Sequence, residues 1–434
     1  MKIKVKEIQH PTPNIHHPTP IIQLLPMLIT NIKSLFGNRE KSELLRGKAL
    51  GEMPSLHNAF IEVKDGIIHD YGKMEDLNVE PQGEIFDAKG KSILPAFCDS
   101  HTHIVFAGSR EDEFVHKIKG LSYAEIAAKG GGILNSAKRL ADTSEDELFE
   151  QAMVRVNEVM QLGTGALEIK SGYGLSLEAE LKMLRVIRRI KETVHIPVKS
   201  TFLGAHAFPE PYKENKEAYI KLIIDEMLPA IADEKLADYI DVFRETGFFD
   251  ETLSEQVLNA GAKYGLKAKI HANQLNNSGG VQLGIKTNAI SVDHLETLGK
   301  EEIKLLGEND IISTLLPSAA FFLRMGYPPA RELIDAGAAI ALATDYNPGS
   351  SPSGNIPLLI SLACIQMKIT PEEAFNAATL NGAFAMEVEN EVGSISKGKR
   401  ANLILTKDIP SLAYMPYAFG SQNIEKVMIK GEWI

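Results

Sequence analysis

Two patterns of apolar and polar residues divide the chain. From residue 28 to 86 the two alternate in short runs such as Ala59-Phe60-Ile61-Glu62-Val63, broken at Lys64-Asp65-Gly66 before a second run at Ile67-Ile68. Alternation of period two followed by a turn tripeptide predicts hairpins. Residues 395–434 read the same way, with strands expected at 401–405 and 426–429. Between these ends lie eight apolar runs of strand length: 93–106, 166–169, 198–203, 240–243, 268–271, 289–292, 311–316 and 339–343. The stretches between them carry helix signals, clearest at Thr370-Pro371-Glu372-Glu373, which combines an N-cap threonine, a first-turn proline and the glutamate of a capping box. Eight strands read as apolar on both faces and separated by helices predict an α/β fold, a closed TIM-like (β/α)8 barrel, with an open doubly wound sheet as the alternative.

The expected organisation is therefore an extended arm at 1–26, where His-Pro-Thr-Pro occurs twice, and a small β-sandwich built from 27–94 and 391–434 around a barrel at 95–390. Charge narrows the function. With 46 Lys+Arg against 57 Asp+Glu the net charge is −11, which argues against a nucleic-acid partner. Hydrophobic residues at 44% and charged residues at 24% describe an ordinary globular protein. The apolar run 21–32 is broken by Pro26 and lies too far along for a signal peptide, and no run approaches the ~20 residues that span a bilayer. Only Cys98 and Cys364 are available, both in apolar runs, so free thiols in a cytoplasmic protein are expected. A homodimer is the base-rate expectation.

The chemistry clusters at strand ends. In Asp99-Ser100-His101-Thr102-His103 the two histidines are two residues apart on a strand and so point the same way, into the barrel mouth. His206 follows the third strand, His271 ends the fifth, His294 follows the sixth and Asp345 closes the eighth. All lie at the carboxyl ends, the face that carries active sites in such barrels, and closure sets strand eight beside strand one. Three imidazoles and a carboxylate with an open position form a catalytic ligand set for zinc or iron, and no cysteine is placed to build a structural zinc site. The fourth strand, 239–245, has no lysine to bridge two metals, so one divalent ion per chain is expected.

These residues resemble the amidohydrolase superfamily, and within it a branch that opens cyclic amides. The strings that carry the likeness are His101-Thr102-His103-Ile104-Val105-Phe106-Ala107-Gly108-Ser109-Arg110-Glu111, Lys170-Ser171-Gly172-Tyr173-Gly174, Phe202-Leu203-Gly204-Ala205-His206 and Thr344-Asp345-Tyr346-Asn347-Pro348-Gly349-Ser350. The resemblance covers about residues 28 to 430 and implies His101, His103, His271 and Asp345 as metal ligands. It implies that Arg110, Tyr173, His206 and Gln274 hold a small-molecule substrate, and that Asn347, Gly349 and Ser350 contact substrate or product. His294 suits carbonyl polarisation and Asp345 proton transfer. A guanidinium fork suits a carboxylate tail, which gives Arg110 its role, with Arg324 in reserve. Gln274 stands where deaminases of the superfamily carry a proton-shuttling glutamate, which favours hydrolysis of a cyclic amide over deamination. Since all four ligand positions are filled, a barrel that has lost catalysis is the weaker reading. Gly130-Gly131-Gly132 is expected to be a loop near the site or a helix terminus.

Overall fold

A computed structural model describes residues 25–78, 83–121 and 131–434; Gly130 and all of the expected arm except Leu25 and Pro26 lie outside the described residues. The first strands are β1 (Met27–Phe36), β2 (Ser55–Lys64), β3 (Ile67–Lys73), β4 (Glu84–Asp87) and β5 (Ile93–Pro95). Asp65 and Gly66 join β2 to β3 with φ of 52° and 76°, the two positive angles that a tight hairpin turn requires. The chain returns to this sheet with β14 (Leu403–Thr406), β15 (Ile424–Ile429) and β16 (Glu432–Trp433), giving the order β16-β15-β14-β5-β1-β2-β3, with β4 also paired to β1. The sheet curls until Ile67 bridges Arg400, and Ile29, Ile61, Ile68, Ile93, Leu403 and Met428 from both chain ends share one core.

The second sheet is the barrel: β6 (Phe97–Asp99), β7 (Thr164–Lys170), β8 (Val198–Ala205), β9 (Tyr239–Arg244), β10 (Lys267–Ala272), β11 (Ser291–His294), β12 (Ile312–Leu315) and β13 (Ala339–Leu342). They pair in sequence order, all parallel. Between β13 and β6 the ring closes through the segments just beyond them: Asp345 N donates to His101 O and His103 N to Tyr346 O, both at 2.9 Å. The helices cover the outside. Helix Leu177–Thr193 starts at Ser176, whose Oγ accepts from Ala179 N at 3.3 Å, and buries Met183, Leu184, Ile187 and Ile190 at helical spacing. Each such side chain contributes roughly 1.5–3 kcal/mol, so Ile187→Ala should cost about 2–5 kcal/mol. The capping box at Thr370 is present, with Glu373 N to Thr370 Oγ1 at 3.3 Å and Thr370 N to Glu373 Oε2 at 2.7 Å.

Two expectations are corrected. The run 93–106 is not one strand: β5 belongs to the curled sheet, β6 is three residues of barrel, and residues 100–106 form no strand ladder. Pro95, with no N–H to give, sits at the switch between sheets, and Ala96 N turns to Asn402 O at 3.0 Å. Nor are the barrel strands apolar on both faces. Glu168, Lys170, Thr201, Asp241, Lys269 and Asp293 are all fully buried in them.

Candidate metal centre and catalytic pocket

Where the strands end, four imidazoles and a carboxylate meet. Asp345 Oδ1 is 3.6 Å from Nε2 of both His101 and His103, and His271 Nε2 is 3.3 Å from His103 Nε2. The ligand atoms of His101, His271 and His294 lie within 4.8 Å of one another, as do those of His101, His103 and Asp345. Strain aims two of these groups. His294 has φ of 83° and Asp345 φ of 54°, left-handed angles that cost side-chain-bearing residues energy and persist where the surroundings hold them. The bond from Asp345 N to His101 O is one such hold.

Each ring has its other nitrogen against an acceptor. Nδ1 of His101 lies 2.6 Å from Asp293 Oδ2, that of His271 3.0 Å from Asp241 Oδ2, that of His294 3.3 Å from Glu296 Oε1 and that of His103 3.4 Å from Ser171 O. With the proton of His101 kept on Nδ1 by Asp293, its buried Nε2 presents a lone pair that has no hydrogen-bond partner, 3.6 Å from the Asp345 carboxylate. A lone pair facing a carboxylate is repelled by it unless a cation lies between them. The donor set therefore fits a divalent metal, with three neutral imidazoles and one carboxylate as the chemistry of zinc or iron requires.

The charges agree. Burial, reinforced by Lys170 and the neighbouring histidines, holds His101 well below the ordinary histidine value, and burial with His206 and His271 does the same for His103. Burial brings His206 down to about 3. His294 is opposite: burial opposes its charge, yet Glu296, Asp345 and Asp293 outweigh that and raise it. Asp345 is raised by burial against the pull of His294 and His271.

Below the histidines lies an ionic layer. Lys170 Nζ donates to Glu168 Oε1 and Asp241 Oδ2, each at 2.8 Å, and lies 3.5 Å from Asp293 Oδ2. Lys269 pairs with Glu168 alone among these carboxylates, and Thr201 Oγ1 donates to Glu168 at 2.7 Å. Lys170 thus bridges the carboxylates that orient His271 and His101. Sequence reasoning missed these roles, although charged residues alternating with apolar ones, as in Ala166-Leu167-Glu168-Ile169-Lys170 and Lys267-Ala268-Lys269-Ile270-His271, are a visible sign of a polar inner face.

Above the histidines a cavity of about 510 Å³ opens. Arg110, Tyr173, His206, Gln274, Asn347, Gly349 and Ser350 all line it together with His103, His271, His294 and Asp345, whereas His101 is wholly buried and Arg324 lines no part of it. Arg110 caps helix Glu111–Ile118 and its guanidinium makes a two-bond fork with Glu113, at 2.9 and 2.5 Å. Glu113 also accepts from Gly132 N at 3.0 Å; Gly132, with φ of 89°, is the N-cap of helix Ile133–Asp142. Asn347 spends its amide on the turn after β13, accepting from Gly349 N and Ser350 N at 2.8 Å and donating to Asp345 O at 2.6 Å and Ser350 Oγ at 2.7 Å. Ser350 Oγ in turn lies 3.2 Å from Asp345 Oδ2. Tyr173 OH is 3.4 Å from Asn347 Oδ1, and His206 stacks on His103 at 5.4 Å between ring centroids while its Nδ1 meets Gly172 O at 3.0 Å.

Residues 92–434 match the model of the Amidohydrolase family. Over 94% of its length the chain is 55% identical to a protein of Flavobacterium johnsoniae named imidazolonepropionase, of which it covers 99%. It is 52% identical over the same share to the imidazolonepropionase of Christiangramia forsetii, of which it covers 100%. Among solved structures, a triazine hydrolase variant is similar with a TM-score of 0.72 at 15% identity over 94% of each chain, a likeness of fold alone. No helix among the described residues is long and apolar enough to cross a membrane.

Proposed function

We propose that this chain, which belongs to the amidohydrolase family and within it to the imidazolonepropionases, hydrolyses the lactam C–N bond of 4-imidazolone-5-propanoate to N-formimidoyl-L-glutamate, a step in histidine breakdown. One observation carries this beyond kinship: the ligand atoms of His101, His103 and Asp345 lie within 4.8 Å of one another and His271 Nε2 is 3.3 Å from His103 Nε2, beside a cavity that Arg110 also lines. We assign those four residues to one divalent ion per chain, zinc or iron. When bound, such an ion polarises a carbonyl and acidifies a water molecule.

The chain's own residues do the rest. Asp345, next to the ligand nitrogens and held by Ser350, accepts the water's proton and delivers it to the ring nitrogen as the C–N bond breaks, while the water oxygen joins the carbonyl carbon. His294, with Glu296 behind its Nδ1, presents Nε2 to the carbonyl oxygen, where charge develops. Tyr173, His206 and Gln274 line the space for the ring, and Arg110 meets the propionate. Gln274 has no acidic proton to hand to a departing amine, which supports ring opening over deamination. Residues 27–94 and 391–434 serve as the supporting β-sandwich and 95–390 as the catalytic barrel. Free rather than bridged cysteines, Cys98 and Cys364, support a cytoplasmic location.

The test is incubation of metal-replete protein with 4-imidazolone-5-propanoate. Formation of N-formimidoyl-L-glutamate without ammonia is expected; ammonia release, or no consumption of the substrate, refutes the assignment.

A further inference from the structure

The fork of Arg110 is already occupied by a carboxylate of this chain. Its Nε and Nη2 are turned to Glu113, so the guanidinium reaches the cavity as one half of an ion pair that is itself neutral. An anionic tail arriving there is attracted by Arg110 and repelled by Glu113 at nearly the same place, and the two terms largely cancel. One more cation is present. Lys117 lies one helical face along from both, at positions 110, 113 and 117, and lines the same cavity. Its Nζ donates to Gly349 O at 3.3 Å and sits 5.9 Å from the Phe322 ring, which stacks on Phe114. Gly349 is the meeting point: a Cβ there would collide with the Arg110 guanidinium, while its carbonyl holds the lysine. Among the described residues, Arg110 and Lys117 are the arginine and lysine that line this cavity, and Glu113 offsets the charge of the first.

We propose that Lys117 is the second cation of a carboxylate-binding subsite, supplying the net positive charge that the Arg110–Glu113 pair lacks, and so selects substrates with an anionic tail. The inference rests on the activity proposed above and specifies how its substrate is recognised. Glu113 is a positioning residue in this scheme: it fixes the plane of the guanidinium and, through Gly132 N, ties it to the start of the next described helix. Burial and the nearby Arg110 lower the affinity of Lys117 for its proton, as befits an ammonium group placed against another cation.

The test uses metal-replete protein and two probes, imidazole-4-propionate and its primary amide, with binding measured by calorimetry beside steady-state kinetics on 4-imidazolone-5-propanoate. Lys117→Met should raise KM and weaken the carboxylate probe by about tenfold or more, the scale of one lost charge-assisted hydrogen bond, with kcat changed less than about threefold. Binding of the amide probe should stay unchanged, and Lys117→Arg should recover most of the loss. If Lys117→Met weakens both probes alike, or neither, the subsite is overturned. A wild-type protein that binds the carboxylate probe more tightly than the amide but leaves the substrate unconsumed supports the subsite and refutes the activity.

Discussion

Replacing Lys170 and Lys269 separately by methionine distinguishes what the buried ionic layer does for the metal centre from what it does for the fold. Both ammonium groups are fully buried and both pair with Glu168, but only Lys170 also holds Asp241 and Asp293, the carboxylates behind His271 and His101. Removing one partner of a buried ionic network costs about 3–5 kcal/mol. A chain of 434 residues, at an unfolding entropy of about 2.1 cal/mol/K per residue, should lose about 1 °C in Tm per kcal/mol, so each variant should melt about 3–6 °C lower. Metal affinity should separate them. In Lys170→Met two ligand-orienting carboxylates lose their common tether, and the loss of such support typically weakens metal binding about 10–100-fold. In Lys269→Met both carboxylates keep Lys170, and affinity should stay within about threefold of wild type. Competition for zinc with a calibrated chelator, alongside thermal melts of the metal-free proteins, measures both quantities. Equal losses of zinc affinity in the two variants would show that Lys170 acts only through general stability and would refute the reasoning.

The same geometry sets three other outcomes. His294→Asn should retain metal yet lose on the order of 10² in kcat, as a positioned polarising group does; normal turnover would make it a packing residue. Arg110→Met should raise KM by the equivalent of roughly 2–5 kcal/mol and Arg110→Lys by less, while adding Glu113→Gln to Arg110→Met should recover part of the loss by removing the carboxylate left facing the tail; an unchanged KM in Arg110→Met would exclude this residue from the tail site. Lys399, whose Nζ donates to Val392 O at 3.0 Å and Ser394 Oγ at 2.7 Å, is brought by burial from the ordinary 10.5 down to about 8. Between those values the unfolded chain holds more protons than the folded one, so stability should rise with pH from about 8 and carry its full penalty below. Melts across this range should show the rise in wild type and a flatter profile in Lys399→Met; parallel profiles would refute it.

The barrel was legible because its strands keep their apolar outer faces whatever their inner faces carry. The runs at 198–203, 240–243 and 339–343 fall on β8, β9 and β13, and the turn at Asp65-Gly66 announces its hairpin by residue type alone. What composition does not show is where a run changes sheets. Ile93 to Cys98 is apolar throughout, and only the pairing of β5 with β14 and of β6 with β7 separates its parts. The strand ends were legible for a related reason: His101, His103, His271, His294 and Asp345 are polar residues at the edge of apolar runs, and closure of a parallel barrel brings such edges to one rim. Pairings of side chains were not legible. Arg110 could be singled out by its motif, but its fork's engagement with Glu113 is a matter of geometry that the sequence carries only as an Arg-x-x-Glu spacing shared by many unremarkable helices.

The buried charge also explains why these residues tolerate one another. Among the described residues, Glu168, Asp241 and Asp293 face two ammonium groups, Lys170 and Lys269, so this buried layer carries one more carboxylate than ammonium group. An interior with that imbalance is unfavourable by itself. On the assignment proposed above, a divalent ion held by His101, His103, His271 and Asp345 would offset that excess together with the Asp345 carboxylate. On that assignment the charge of the ion and the charge of the layer belong together: Lys170 holds Asp241 and Asp293, these carboxylates lie 3.0 and 2.6 Å from Nδ1 of His271 and His101, and the far sides of those rings would face the dication.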